Sequence, residues 1–230
     1  MRLIPYEVWY GGFAKSIFDV FTWHDEEDRE QVAKHLFLDY EGRAYHNAYH
    51  PWWMYTYAWQ NQIKLTHAQK IAILYHDVIY DIKSPKGTNE LDSAKRLRRD
   101  LKKMSSSETI ETAAKIVEDT RLHFESDPTF ASEESALVLD LDIINMSLPY
   151  EQFMEWNVAV EEEYAKVYNP MARLEFLRFF VAKKNIINTD ILKHKEERIR
   201  YNLNRLIDQK ENEILDMPDE EYEHYNNNCN

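Results

Sequence analysis

Two histidines four residues apart (His46 and His50), an adjacent His76-Asp77 pair, and two aspartates at Asp140 and Asp142 lie in three apolar or aromatic segments of this 230-residue chain. A carboxylate among apolar side chains is costly unless a cation or several donors compensate it. A metal ion is an economical compensator. Two imidazoles with two carboxylates form a mixed nitrogen and oxygen set that suits Mn²⁺, Fe²⁺, Co²⁺, Ni²⁺ or Zn²⁺ better than Ca²⁺, with Mg²⁺ also admissible. Taken alone, His76-Asp77 reads first as a hydrogen-bonded buried pair, and His46 reads equally as a packing residue one turn before His50 or as a site residue. Three such segments together favour a metal site. Asp140 and Asp142 would share a face in a strand, but in a helix they diverge by about 200° and only one can coordinate.

The order His, then His-Asp, then Asp resembles the signature of the HD superfamily of metal-dependent phosphohydrolases, and the wider pattern is similar to a bacterial and phage subgroup of predicted HD phosphohydrolases. The residues that carry the resemblance are Tyr45-His46-Asn47 with His50, His76-Asp77 with Tyr80-Asp81, Asn89-Glu90 with Ser93-Ala94, Thr120 with His123, Asp140 with Asp142, Glu163-Tyr164, and Arg200 with Asn202. They span residues 45 to 202. The resemblance implies an all-α fold, the HD-domain helical bundle, with His50, His76, Asp77 and Asp142 as metal ligands, Asp142 aligning better than Asp140 with the distal aspartate. It implies that Asp77, Asp81, Glu90 and His123 serve catalysis, that His46 meets substrate, and that His46 and His123 could hold a second ion. The implied activity is hydrolysis of a small phosphorylated metabolite, a nucleotide first, by metal-activated water attack on phosphorus. Alternatives on the same ligands are an alarmone pyrophosphohydrolase, an iron-dependent oxygenase, and a binding or regulatory protein with a structural or vestigial metal site. The chain departs from the pattern at Pro51-Trp52-Trp53, where the subgroup has an aliphatic residue, and in the loop after Asp81.

The elements that must position these residues read as helices. Four glycines and seven prolines are too few for a β-sandwich, a barrel or a glycine-rich phosphate loop. About nine or ten helices are expected. The clearest runs from Thr66, paired with Gln69 as a capping box, to about Asp81, with Ala68, Ile71, Ala72, Tyr75, Val78 and Ile79 as its apolar stripe. Others are predicted over 25–40, from the turn at Pro51 to Gln60, and over 89–104, 107–122, 150–168, 171–188 and 190–210, with Asn169-Pro170 as a break. The segment 136–144 fits either period, with a helix expected. One domain is drawn over 1–207, its metal-site core at about 45–145 and its C-terminal helices at 150–207. Residues 208–230 are predicted to fray.

The formal charge of -13, from 28 Lys and Arg against 41 Asp and Glu, opposes phosphate polymers and anionic lipid. A general nucleic-acid or membrane partner is thereby excluded, whereas a small phosphorylated substrate and a homo-oligomer remain open. Residues 83–103 hold eight cations against three carboxylates. Arg98 and Arg99 there read either as a solvated face or as a steering patch that binds a substrate phosphate. Trp52, Trp53, Tyr55, Tyr57 and Trp59 read as core packing or as a base-stacking wall. The single cysteine, Cys229, suits a reducing compartment as an inert tail residue. The first twenty residues lack a secretory pattern and no later window is long and apolar enough to span a membrane, so a cytoplasmic location is expected.

Overall fold

The computed structural model describes residues 6–22 and 24–227, and Cys229 lies outside them. Among the described residues the protein is all-α, with eleven helices and no strand, and no helix is long and apolar enough to cross a membrane. The chain forms two compact units, Met1–Asp142 and Ile143–Asn230.

The first unit contains α1 (Tyr6–Val20), α2 (Glu26–Tyr40), α3 (Tyr49–Gln60), α4 (His67–Tyr75), α5 (Thr88–Asp100), α6 (Ser107–Asp119) and α7 (Ser135–Asp142). Its centre is α4, which packs against α1, α3, α5, α6 and α7. The predicted capping box is present: Thr66 Oγ1 accepts from the Gln69 backbone N–H, and the Gln69 side chain accepts from that of Thr66. Ala68 and every residue from Ile71 to Tyr75 are buried, so the helix is hydrophobic all round, as an interior helix must be. It ends at Tyr75, six residues before the predicted limit. The apolar stripe continues into Val78, but side chains capture the last carbonyls and turn the backbone away.

No sequence period marks α1. Its Gly11-Gly12 pair disfavours a helix by about 1 kcal/mol per residue relative to alanine. Packing overrides that preference: Phe13, Ile17, Val20 and Phe21 are buried, and a Cβ at Gly12 would collide with the Trp52 indole of α3. Segment 136–144 resolves as a helix ending at Asp142. The end of the predicted 107–122 helix tightens instead into a 3-10 turn, Thr120–Phe124, which carries His123.

One carboxylate sets where α7 begins. Asp119, the last residue of α6 and buried, accepts through Oδ2 from the Ala131 N–H (2.7 Å), the Ser132 N–H (3.2 Å) and Ser135 Oγ (2.7 Å). Ser135 opens α7, whose far end is Asp142. Gln69 of α4 also donates to the Glu134 carbonyl at 3.0 Å, and Thr66 Oγ1 donates to the Glu134 carboxylate.

The second unit contains α8 (Tyr150–Tyr164), α9 (Pro170–Ala182), α10 (Glu196–Leu215) and α11 (Asp219–Asn227). Asn169 caps α9 by accepting from the Met171 and Ala172 N–H groups, with Pro170 as the first helical residue, which is the break the sequence marks. Leu174, Leu177 and Phe180 of α9 and Ile199, Leu203 and Leu206 of α10 are buried core residues of this pair. Asn202, fully buried, donates to the carbonyls of Met146 and Leu148, both at 2.8 Å. Helix α10 runs through the boundary drawn at residue 207, because buried Lys210 anchors the extension by pairing with Glu161 of α8 and with Glu213, each at 2.8 Å.

Asp119→Ala removes the acceptor of three hydrogen bonds and strands their donors. Urea unfolding should show a loss of about 3 kcal/mol, with Asp119→Asn losing less. A loss below about 0.5 kcal/mol would deny Asp119 this role.

Candidate metal centre

The end of α4 is built from its own carbonyls outward. The Ala72 carbonyl receives the His76 N–H, and the Tyr75 carbonyl receives the Val78 N–H. The Leu74 carbonyl accepts from Tyr40 Oη at 3.1 Å. The Ile73 carbonyl accepts from Nδ1 of His76 at 2.9 Å, which requires the ring proton on Nδ1. Nε2 then presents a lone pair. It lies 2.9 Å from Asp77 Oδ2 and 3.6 Å from Asp142 Oδ1. A lone pair and two carboxylates can share such a space favourably only around a proton or a cation.

His50 reaches the same space from the first turn of α3. Asn47 prepares that turn: its Oδ1 accepts from the Tyr49 N–H, and its Nδ2 donates to the Arg43 and Ala44 carbonyls. His50 Nε2 lies 2.6 Å from Asp142 Oδ1, and His123 Nε2 lies 2.7 Å from Asp142 Oδ2. One ligand atom from each of His50, His76, Asp77 and Asp142 falls within 4.8 Å of the others. Both imidazoles are buried, while the aspartate side chains are 13% and 15% exposed. This buried His/Asp group could hold a metal ion. The chemistry of the donor set fits one: an imidazole with Nδ1 bound to a backbone carbonyl and Nε2 free for the ion is the usual form of a histidine ligand.

The electrostatics agree. Burial alone would pull the His76 imidazole down, but Asp77 and then Asp142 outweigh it and hold it well above its ordinary value. Burial pushes both carboxyls up, and the cations reverse this. His76 and then His46 draw Asp77 down to about 2, while His76 and the hydrogen bonds of His123 and His50 hold Asp142 well below the carboxylate range. Glu90 goes the other way, raised first by burial and further by Asp77 and Asp142.

The structure therefore brings His50, His76, Asp77, Asp142 and His123 together. Asp140, fully buried, sits two residues away around α7 and outside the ligand group. Glu90 lies in the first turn of α5, within electrostatic reach of Asp77, His123 and Asp142, and its buried Oε2 has no hydrogen-bond partner. His46 stacks on Tyr80 at 3.7 Å between ring centroids, and Tyr45 lies 5.2 Å from His50. Asp81 serves its loop, with Oδ1 accepting from the Lys83 N–H. Asn89 exchanges two hydrogen bonds with the Asp81 backbone, and Ser93 does the same with that of Ile79. These two α5 residues dock the 79–81 segment through its backbone N–H and carbonyl groups.

Arg98 and Arg99 both meet carboxylates. Arg98 forks onto Glu111 and also meets Glu118, bracing α5 on α6, and Arg99 meets Asp100. Lys86 pairs with Glu125, and Arg96 with Asp39. Part of the charge excess of 83–103, that of Lys86, Arg96 and Arg98, is thus met by acids from other segments. Sequence reasoning missed two residues that build the centre, Asp119 and Arg43. Neither has a spacing signal, since each acts through backbone atoms of remote residues.

No protein-family model matches the chain, and no curated protein does.

The pH dependence of stability follows from these shifts. In EDTA, the raised His76 contributes fully below its unfolded value of about 6.5 and loses that contribution as pH rises through the higher folded value. The lowered aspartates contribute above about 3.9 and lose this as pH falls through about 2 for Asp77. Thermal unfolding in EDTA should show the cluster's contribution at its maximum between about pH 4 and 6.5, and His76→Gln should flatten the alkaline decline. Added Mn²⁺ should raise Tm more at about pH 8 than at about pH 6, because it displaces protons. A gain that shrinks over that range would contradict the ligand set.

Proposed function

We propose that this protein is a metal-dependent phosphohydrolase acting on a small phosphorylated metabolite, with nucleotides as the first class to test. The observation that carries the proposal is the Nε2 lone pair of His76 facing two carboxylates, with His50 alongside. His50, His76, Asp77 and Asp142 would hold the ion. When bound, a divalent ion of the Mn, Fe, Co, Ni or Zn kind supplies charge to polarise a phosphoryl oxygen and acidify water. Asp142 orients His50 and His123 through its two oxygens. Glu90 Oε2 has no hydrogen-bond partner and is the group open to take the water's proton. His46, stacked on Tyr80, lines the same region and would meet the substrate.

The partial exposure of Asp77 and Asp142 favours this reading over a purely structural ion, because structural sites are closed on all sides. The acidic chain suits a small substrate rather than a nucleic acid or a membrane.

Metal analysis, followed by a phosphoester and nucleotide screen with Mn²⁺, Co²⁺ and Mg²⁺ that includes pyrophosphorylated guanosine nucleotides, tests the proposal. His76→Ala and Asp142→Ala should each lose metal by at least about 10-fold to 100-fold. Glu90→Gln should keep the metal and lose about 10²-fold or more in kcat. Full metal loading without turnover on any phosphoester would overturn the assignment, and retained metal in His76→Ala would overturn the ligand set.

A further inference from the structure

We infer that Arg43 is a positioning residue that holds the two ligand-bearing segments, the His46–His50 loop and the His76-Asp77 turn, in register; the inference rests on the metal-site reading above. Its guanidinium donates to four backbone carbonyls. Two belong to the turn, Asp77 at 2.5 Å and Val78 at 2.9 Å. One belongs to the loop, His46 at 3.1 Å, and one to the end of α2, Asp39 at 2.6 Å. The Arg43 carbonyl itself accepts from Asn47, which starts the turn into His50. The guanidinium carbon also lies 5.4 Å from the Tyr40 ring centroid and 5.9 Å from that of Tyr80.

Geometry gives this arrangement its consequence. The carbonyls of Asp77 and Val78 follow the end of α4 and have no partner within the helix. A planar fork with five fixed donors can satisfy several divergent carbonyls at once, which a single ammonium on a flexible stem cannot do in one plane. Holding the Asp77 peptide from its carbonyl side fixes the direction in which its carboxylate leaves the backbone. Ligand atoms must fall within a few tenths of an ångström of their metal distances. Arg43 therefore touches neither ion nor substrate but sets the spacing between His50 and Asp77. Ser106 is the control, because its Oγ accepts from the Thr109 N–H as the N-cap of α6, at the opposite end of that helix from Asp119.

The test uses the full chain, with Mn²⁺ affinity measured by titration calorimetry and stability by thermal unfolding. Arg43→Lys and Arg43→Gln should weaken Mn²⁺ binding by about tenfold or more. Ser106→Ala should lower Tm while leaving Mn²⁺ affinity within about twofold of the parent. The two Arg43 variants cover the case in which one fails to fold. Parent-like affinity in a folded Arg43 variant would overturn the inference and leave the metal site standing. An equal loss of affinity in Ser106→Ala would also overturn it, because lost stability alone would then account for the effect. A parent protein that takes up no Mn²⁺ would remove both readings together.

Discussion

The C-terminal carbonyls of α4 have to find hydrogen-bond donors inside a packed unit, and the way they do so determines the centre. Helix ends leave carbonyls without partners, and burying them unpaired costs about 1–3 kcal/mol each. Water cannot supply every donor beside side chains as buried as Tyr75 and His76. Tyr40 takes the Leu74 carbonyl, Arg43 those of Asp77 and Val78, and the His76 ring that of Ile73. The last choice has a chemical result, because committing Nδ1 to the backbone leaves Nε2 basic and turns it toward Asp77 and Asp142. A structural requirement of the helix thus prepares a nitrogen that could hold a metal ion.

The remaining groups converge on that nitrogen through the helices packed around α4. Asp142 arrives at the end of α7, whose start is set by Asp119, and the His123 turn leaves directly from Asp119. A single buried carboxylate therefore governs two approaches to the centre. Asn89 and Ser93 hold the chain that leaves the His76-Asp77 turn, and the residue beside Asn89 is Glu90. Much of the recognisable pattern around the His-Asp pair is accordingly structural: Asn47, Asn89 and Ser93 spend their polar groups on backbone atoms, while the neighbouring His46 and Glu90 keep theirs near the centre.

Charge follows the same division. The basic 83–103 segment stands out in the sequence, yet Arg96 and Arg98 in it meet acids contributed by α2 and α6. Linear charge excess is a poor guide where helices pack side by side, since partners in direct contact, such as Arg98 and Glu118, can be twenty residues apart in sequence. The concentration of unlike charge that persists after folding is the one around Asp142, where desolvation makes each interaction stronger than it would be in water.

The sequence by itself determined the helical class, the α4 capping box and the break before α9, and its family resemblance implied His50, His76, Asp77 and Asp142 as the group that could hold a metal ion. Those features depend on local propensity or on residue types too costly to bury without a purpose. It also limited the site to one of two aspartates, because a helical period lets only one of Asp140 and Asp142 face the histidines. Only the tertiary structure decided where α4 stops, that Gly11 and Gly12 lie in a helix, which cations of the basic segment are already paired, and that Arg43 and Asp119 align the ligands. Each of these depends on a hydrogen bond, ion pair or packing contact that local sequence does not encode. Carbonyl groups are the same at every residue, so no pattern of side chains reveals which of them a distant arginine will hold.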